Sequence, residues 1–93
     1  MIIGMIEVQM HFPSAGSLKA KRQLLKSLKD RVRNKFNVSV AEIDGQDLWQ
    51  RGTLGIAIIA TDKAFANSVL SKVSDLVNTQ PEIVITDIRM EWL

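Results

Sequence analysis

The chain has 93 residues, a hydrophobic content of 46%, a formal net charge of +2 and no cysteine. This length predicts one small domain, residues 1–93, with enough aliphatic side chains for a core. The lack of cysteine excludes disulfides and thiolate metal sites and favours a reducing cytoplasm. Glu7 and His11 interrupt the apolar N-terminus, and no basic flank or cleavage site accompanies it. It therefore predicts a strand rather than a signal peptide or a membrane span.

The positive charge is concentrated in one segment. Residues 19–35 contain eight lysines and arginines and one acid, Asp30, so this segment has a charge of +7 and the rest of the chain −5. A charge distribution of this kind focuses the electric field on one face of a nearly neutral molecule. It is typical of proteins with a polyanionic partner.

The first two elements are a strand and a long helix. Even positions from Ile2 to Phe12 are apolar and most odd positions beyond Met5 are polar, a period of two that predicts a strand. Residues 13–16 break the pattern, and Ser17 is a suitable N-cap because its hydroxyl can accept from a free amide of the first turn. The helix is predicted from about Leu18 to Lys35.

This predicted helix has an apolar side and a separate basic stripe. At 100° per residue, Leu18, Leu25, Leu28 and Val32 fall on one side with Leu24 at its edge, as expected for a helix on a sheet. Lys21 also projects onto the apolar side; either its stem lies along the sheet edge with the ammonium reaching solvent, or it lines a site. The residues predicted to contact a nucleic acid are Lys19, Lys21, Arg22, Lys26, Lys29 and Arg33.

The second half of the chain adds three more elements. Residues 36–44 and 52–61 predict strands joined by a loop over residues 45–51, and residues 62–78 predict a helix. Residues 83–92 predict a last strand. The apolar positions assigned to the second helix are Phe65, Val69, Val73, Leu76 and Val77. In the last strand, Val84, Ile88, Met90 and Trp92 are assigned to one face and Asp87, Arg89 and Glu91 to the other.

The order β-α-β-β-α-β predicts an α+β, ferredoxin-like fold, with a four-stranded antiparallel sheet and two helices on one face. The first and third strands would be central. The open face would carry the odd residues of these strands: Ile3, Met5, Glu7, Gln9, His11, Thr53, Gly55, Ala57 and Ile59.

The composition of this open face favours assembly over base recognition. Single-strand RNA readers of this fold stack bases on aromatic side chains of the central strands, and none is present. Aliphatic side chains there, with Ile83 and Ile85 as further candidates, form a patch that a small domain tends to cover. We therefore expect a homodimer. Its predicted interface is Ile3, Met5, Ala57 and Ile59.

Three motifs occur together in this order: SLK-x-KR at residues 17–22, FNVSVAE at 36–42 and D-x-W-Q-R-x-x-LG at 47–55. With these motifs the chain resembles the YlxP-like family of small bacterial proteins of unknown function, over nearly its whole length. The resemblance implies a ferredoxin-like fold, a cytoplasmic setting, and gene neighbourhoods shared with transcription, translation-initiation and ribosome-maturation factors. The neighbourhood is an association and gives no mechanism.

Sequence signals for catalysis or metal binding are weak. His11 is the only histidine and has no neighbouring nucleophile, which favours a surface strand residue over a general base. Glu42, Asp44 and Asp47 match no calcium-loop spacing and are better explained by a turn. No catalytic residue, cofactor or metal site is therefore assigned, and the protein is expected not to be an enzyme.

Two loops carry the remaining candidates. The turn before Ser17 leads into a helix N-terminus that could hold a phosphate with Lys19 and Lys21, but an ordinary capped turn is the favoured interpretation because there is no phosphate loop with several glycines. For Trp49 the favoured interpretation is an indole packed on the ends of helices or strands; the alternative is an exposed docking residue, with Gln50 and Arg51 as further docking candidates.

Two classes of function follow from these observations. The first is an RNA-binding or ribosome-associated module that lays the basic helix against structured RNA. The second is a dimeric small-ligand or protein-interaction module of the amino-acid-sensor type, which requires a well-formed pocket with converging polar groups.

Overall fold

The computed structural model describes residues 1–93 and contains six elements. Both helices begin at a capping side chain: Ser17 accepts from the amide of Ala20, and Asp62 from that of Phe65. The elements are β1 (Ile2–His11), α1 (Leu18–Lys35), β2 (Ser39–Asp44), β3 (Arg51–Ala60), α2 (Lys63–Val77) and β4 (Val84–Trp92).

The four strands form one antiparallel sheet in the order β2-β3-β1-β4. This order and the two helices give the predicted ferredoxin-like fold, and the central position of β1 and β3 is confirmed. In the β1–β3 register Ile6 lies opposite Ile56, and both are buried. The alternation predicted for β1 is also confirmed, since its even side chains from Ile6 to Met10 are buried.

The core lies between the sheet and the two helices, in one cluster of 17 buried apolar residues. Helix α1 contributes Leu25, Leu28 and Val32 to it. Helix α2 contributes Ala66, Leu70, Val73 and Val77. Phe65, predicted on the buried side of α2, is instead 59% exposed, because Ala66 and Leu70 occupy the rows that face the sheet.

Edge strands β2 and β4 each contain a β-bulge that was not predicted from the sequence. An extra residue in β4, opposite the step from Gln9 to Met10, places Val84 beside His11 on the open face and Ile85 beside Met10 on the core face. The assignment of Val84 to the same face as Ile88 was therefore wrong. Ile83 is buried in the core and Ile85 packs against it, so the prediction that they extend the open patch was wrong too.

The start of β2 also differs from the prediction. Residues 36–38 do not pair with β3; Phe36 caps the end of α1 in an extended conformation, and Val38 packs against the core. A second bulge lies between Glu42 and Asp44, at Ile43. The side chain of Ile43 turns to the open face, where a β-carbon added to Gly55 would lie 3.1 Å from it.

The strand directions place three loops at one end of the sheet: residues 12–17, 45–50 and 78–83. The amide of Phe12 donates to the carbonyl of Gln50 at 2.9 Å, and Ser14 donates to Glu82 at 3.3 Å. The start of α1 and the loop between β2 and β3 are therefore neighbours in space.

Candidate nucleic-acid interface

Helix α1 presents its basic side chains on the flank next to edge strand β2. Arg33 donates from its guanidinium to the carbonyl of Val40 at 2.8 Å, which fixes this flank against β2. On the opposite flank, Arg31 donates to Gln80 at 2.6 Å and so contacts the chain after α2. We call the first flank the basic face; it consists of Lys19, Arg22, Lys26, Lys29 and Arg33.

Few of these positive charges are neutralised within the chain. Of the eight lysines and arginines in α1, only Lys21 and Lys26 form a salt bridge. Lys26 pairs with Asp30 one turn later, at 2.7 Å, and both side chains are exposed to solvent. Lys19 and Arg22 are exposed and make no hydrogen bond through their side chains.

Asp30 is the only acid of α1, and the positive charges around it change its pKa. The Lys26 ammonium donates a hydrogen bond to its carboxylate, and this bond lowers the pKa of Asp30 below its ordinary value of 3.8. The nearby charges of Lys26, Arg33 and Lys29 lower this pKa further. The single acid of the helix is thus held ionised by the bases around it.

Lys21 does not belong to the basic face, so its predicted contact with a nucleic acid was wrong. Its side chain is 0% exposed; the ammonium donates to Glu42 at 2.7 Å and to the carbonyl of Gly45 at 2.8 Å. It also lies 5.8 Å from the ring centroid of Phe12. The ammonium does not reach solvent because Glu42, on the core face of β2, supplies its counter-charge inside the fold.

The sequence contained a signal for this ion pair. Phe36, Val38 and Val40 share one parity, and Glu42 continues it, so an acid is predicted on the apolar face of the strand. Lys21 is the one base on the apolar side of α1. Opposite charges on two apolar faces that pack together indicate a buried pair.

The loop between β2 and β3 displays the docking candidates Trp49, Gln50 and Arg51 at the surface. Trp49 is 53% exposed, so the favoured prediction of an indole packed on the ends of strands or helices was wrong. An open hollow of about 600 Å³ lies beside it. The hollow is lined by His11, Asp47, Leu48, Trp49, Gln50 and Arg51.

The other candidate residues are not brought together. Glu42 is paired with Lys21, and Asp44 accepts from the amide of Gly45, so the three loop acids do not converge; the structure contains no group of three potential metal ligands. Ser17 accepts from Ala20 as an ordinary N-cap, and with Lys21 buried only Lys19 remains beside that helix terminus.

The open face of the sheet brings the predicted interface residues together. Ile3 lies opposite Ile59 and Met5 opposite Ala57 in the β1–β3 register. Ile59 is 70% exposed. A shallow hollow of about 340 Å³ continues this patch toward Ile43 on β2. The polar half of the open face lies toward β4, where Arg89 pairs with Glu7 at 3.3 Å.

Comparison with known proteins identifies the family. A family model described as "Protein of unknown function (DUF503)" matches residues 3–90. The chain belongs to this family. It is 43% identical over 91 residues to the uncharacterized protein YlxP of Bacillus subtilis (strain 168), and the match covers 98% of this chain and 99% of that protein. The resemblance to the YlxP-like family is therefore confirmed.

Solved structures of low identity share the fold. The de novo designed protein Foldit4 is 13% identical, with a TM-score of 0.59 and 96% of each chain covered. The de novo designed protein LFR1 1, with ferredoxin fold, is 20% identical, with a TM-score of 0.56 over 98% of this chain and 88% of its own. At such identities the likeness concerns the fold alone. Neither helix of the protein is long and apolar enough to cross a membrane.

Proposed function

We propose that this protein is a non-enzymatic RNA-binding module of the cytoplasm that lays the basic face of α1 against structured RNA, on or near the ribosome. The observation that supports this proposal is that Lys19, Arg22, Lys26 and Arg33 are exposed and Lys29 is half-buried, and only Lys26 in the basic face has an acidic partner. The gene neighbourhood implied by the YlxP-like resemblance points in the same direction, as an association only.

The dimensions of the basic face suit a polyanion. From Lys19 to Arg33 it extends over fourteen residue steps, which at about 1.5 Å per residue is roughly 21 Å of helix. This is long enough to follow several phosphates along one backbone. Binding of this kind is mainly electrostatic, because each contact releases counterions from the nucleic acid.

The test is the salt dependence of RNA binding. Purified protein is titrated against a structured ribosomal RNA fragment at several salt concentrations. We expect the logarithm of the affinity to fall linearly with the logarithm of salt concentration. Lys19→Ala with Arg22→Ala removes two exposed charges that form no salt bridge in the fold, and should make the slope shallower by about 2 units.

The matched control changes net charge equally on the other helix. Lys63→Ala with Lys72→Ala removes two exposed lysines of α2 and should leave the slope nearly unchanged. If both double variants made the salt slope equally shallow, the RNA would be attracted by the net charge of the protein and not by the basic face. Absence of any salt-sensitive affinity for ribosomal RNA or ribosomal particles would refute the proposal.

We propose that the protein is also a homodimer through its open face. Ile3, Met5, Ala57 and Ile59 form a contiguous aliphatic patch that neither helix covers. Sedimentation equilibrium should show a dimer, and Ile59→Glu should dissociate it by placing a charge within the aliphatic patch. Phe65→Glu, at an exposed apolar position of α2 on the other side of the sheet, should not. A monomeric wild type at tens of micromolar would contradict the dimer.

The small-ligand alternative has less support. The most apolar hollow, on the open face, has polar side chains only from Glu7 and Ser39, and it is shallow. A ligand site of the amino-acid-sensor type needs an enclosing pocket with several converging polar groups. The aliphatic patch is better suited to a flat protein surface than to a small molecule.

A further inference from the structure

We infer that the hollow beside Trp49 binds one unpaired nucleotide of the RNA, whose base stacks on the exposed indole while Arg51 contacts the adjacent phosphate. This inference rests on the proposed RNA binding and adds a preference for RNA with an unpaired segment. It is carried by three observations: the exposure of Trp49, the chemistry of the hollow, and the contacts that join the loop of Trp49 to the start of α1.

The exposure of Trp49 is unexplained by the fold. With 53% of its surface in solvent, the indole adds little to the core, and the apolar cluster of the domain does not include it. Aromatic faces at the surface of nucleic-acid-binding proteins are stacking platforms for bases of any sequence.

The hollow combines this aromatic face with groups suited to a nucleotide. Arg51 and His11 lie opposite each other in the β1–β3 register and form one wall. The Arg51 guanidinium has no acidic partner in the fold. A guanidinium can donate two parallel hydrogen bonds to a phosphate. Asp47, also in the lining, can accept from the amino group of a base.

The hollow and the basic face are held together by the buried ion pair. Lys21, in the first turns of α1, donates to the carbonyl of Gly45 at the start of the Trp49 loop. On the other side of the loop, Gln50 accepts from the amide of Phe12. The start of α1 and the Trp49 loop therefore lie at the same end of the sheet, with His11 and Arg51 of the hollow on the open face. An RNA that contacts both Lys19 and the hollow would pass around this end.

Fluorescence provides a direct test, because the chain has two tryptophans, Trp49 and Trp92. The Trp92→Phe variant leaves Trp49 as the single reporter. It is titrated with a stem-loop RNA and with a blunt duplex of the same number of nucleotides. We expect quenching of Trp49 by the stem-loop and little change with the duplex.

Affinities of loop variants complete the test. Trp49→Ala should weaken binding of the stem-loop by roughly 5- to 150-fold, the range for loss of one base–aromatic stack, whereas Trp49→Phe should retain most of the affinity. Phe65→Ala, which removes an exposed aromatic of α2, is the control and should bind as wild type. Arg51→Ala should make the salt slope shallower by about one unit.

Unchanged stem-loop affinity in Trp49→Ala, with weakened binding in Lys19→Ala/Arg22→Ala, would overturn the stacking inference and leave the proposed function intact. If wild-type protein bound neither RNA, both proposals would fail. Unfolding midpoints equal to wild type would show that the loop variants are folded.

Discussion

The two helices pack on the sheet in the same way but differ in their solvent-exposed surfaces. Each lies on the same face of the sheet and buries four side chains: Lys21, Leu25, Leu28 and Val32 in α1, and Ala66, Leu70, Val73 and Val77 in α2. Outside these stripes, α1 carries seven bases and one acid, whereas α2 carries Lys63, Lys72 and Asp75.

This difference shows that the fold does not require the charge of α1. Helix α2 packs equally well with a nearly neutral surface, so burial of an apolar stripe is sufficient. Like charges one turn apart repel each other and cost some helix stability. The basic face is therefore a property added to the scaffold, which is why we associate it with a partner.

Truncation of one buried leucine in each helix tests whether the two helices contribute equally to the core. Leu28→Ala and Leu70→Ala each remove a fully buried side chain, and each should lower the free energy of unfolding by about 2 to 5 kcal/mol, from lost transfer energy and a residual cavity. Urea unfolding measures both. Lys29→Ala, on the outer surface, is the control; an unchanged midpoint for either leucine variant would mean that its helix does not pack as described.

Lys21 is the one charged residue among the buried side chains of the two helices. Lys21→Met should lower the free energy of unfolding by about 2 to 3 kcal/mol, because it leaves the half-buried Glu42 without its counter-charge. Adding Glu42→Leu should restore most of this loss. A double-mutant cycle by urea unfolding gives the coupling, and additive effects would contradict a stabilising pair.

The outer surfaces of the two helices should respond differently to removal of a positive charge. Arg22→Gln relieves repulsion from Lys19 and Lys26, so the free protein should become more stable by about 0.2 to 0.5 kcal/mol at low salt. The gain should disappear at high salt, where these charges are screened. Lys63→Gln on α2 should show no such gain in the same thermal unfolding series, because Lys63 has no other base within one turn and its ammonium lies 5.0 Å from the ring centroid of Trp92.

The smallest expected effect concerns Asp30, the single acid of α1. Because the pKa of Asp30 is lowered in the folded protein, its pairing with Lys26 contributes fully above the ordinary carboxyl pKa of 3.8 and is lost as pH falls through the lowered value. Asp30→Asn should therefore be slightly less stable than wild type near neutral pH and equal to it in strong acid. A difference that persisted in strong acid would contradict an electrostatic origin.

Much of the fold could be predicted from local patterns. The bounds of α1 matched the prediction, since a capping serine, a 3.6-residue apolar period and a following extended segment all lie within one stretch of chain. The open-face neighbours Ile3, Met5, Ala57 and Ile59 could also be predicted, because strand alternation fixes which side chains share a face.

The candidate site was predicted less completely. Five of the six expected nucleic-acid contacts lie on the basic face, and the sixth, Lys21, is buried. The exposure of Trp49 could not be predicted, because a loop carries no periodic pattern and its contacts depend on the strands it joins.

Local sequence patterns were enough to predict the order of the elements, the apolar stripes and the concentration of charge on α1, since each depends on residues close together in the chain. Tertiary structure decided which charges remain available. Glu42, on a different element, neutralises Lys21, and the bulge in β4 turns Val84 outward and Ile85 inward. Burial and pairing depend on partners distant in sequence, and a one-residue bulge reverses every side chain beyond it.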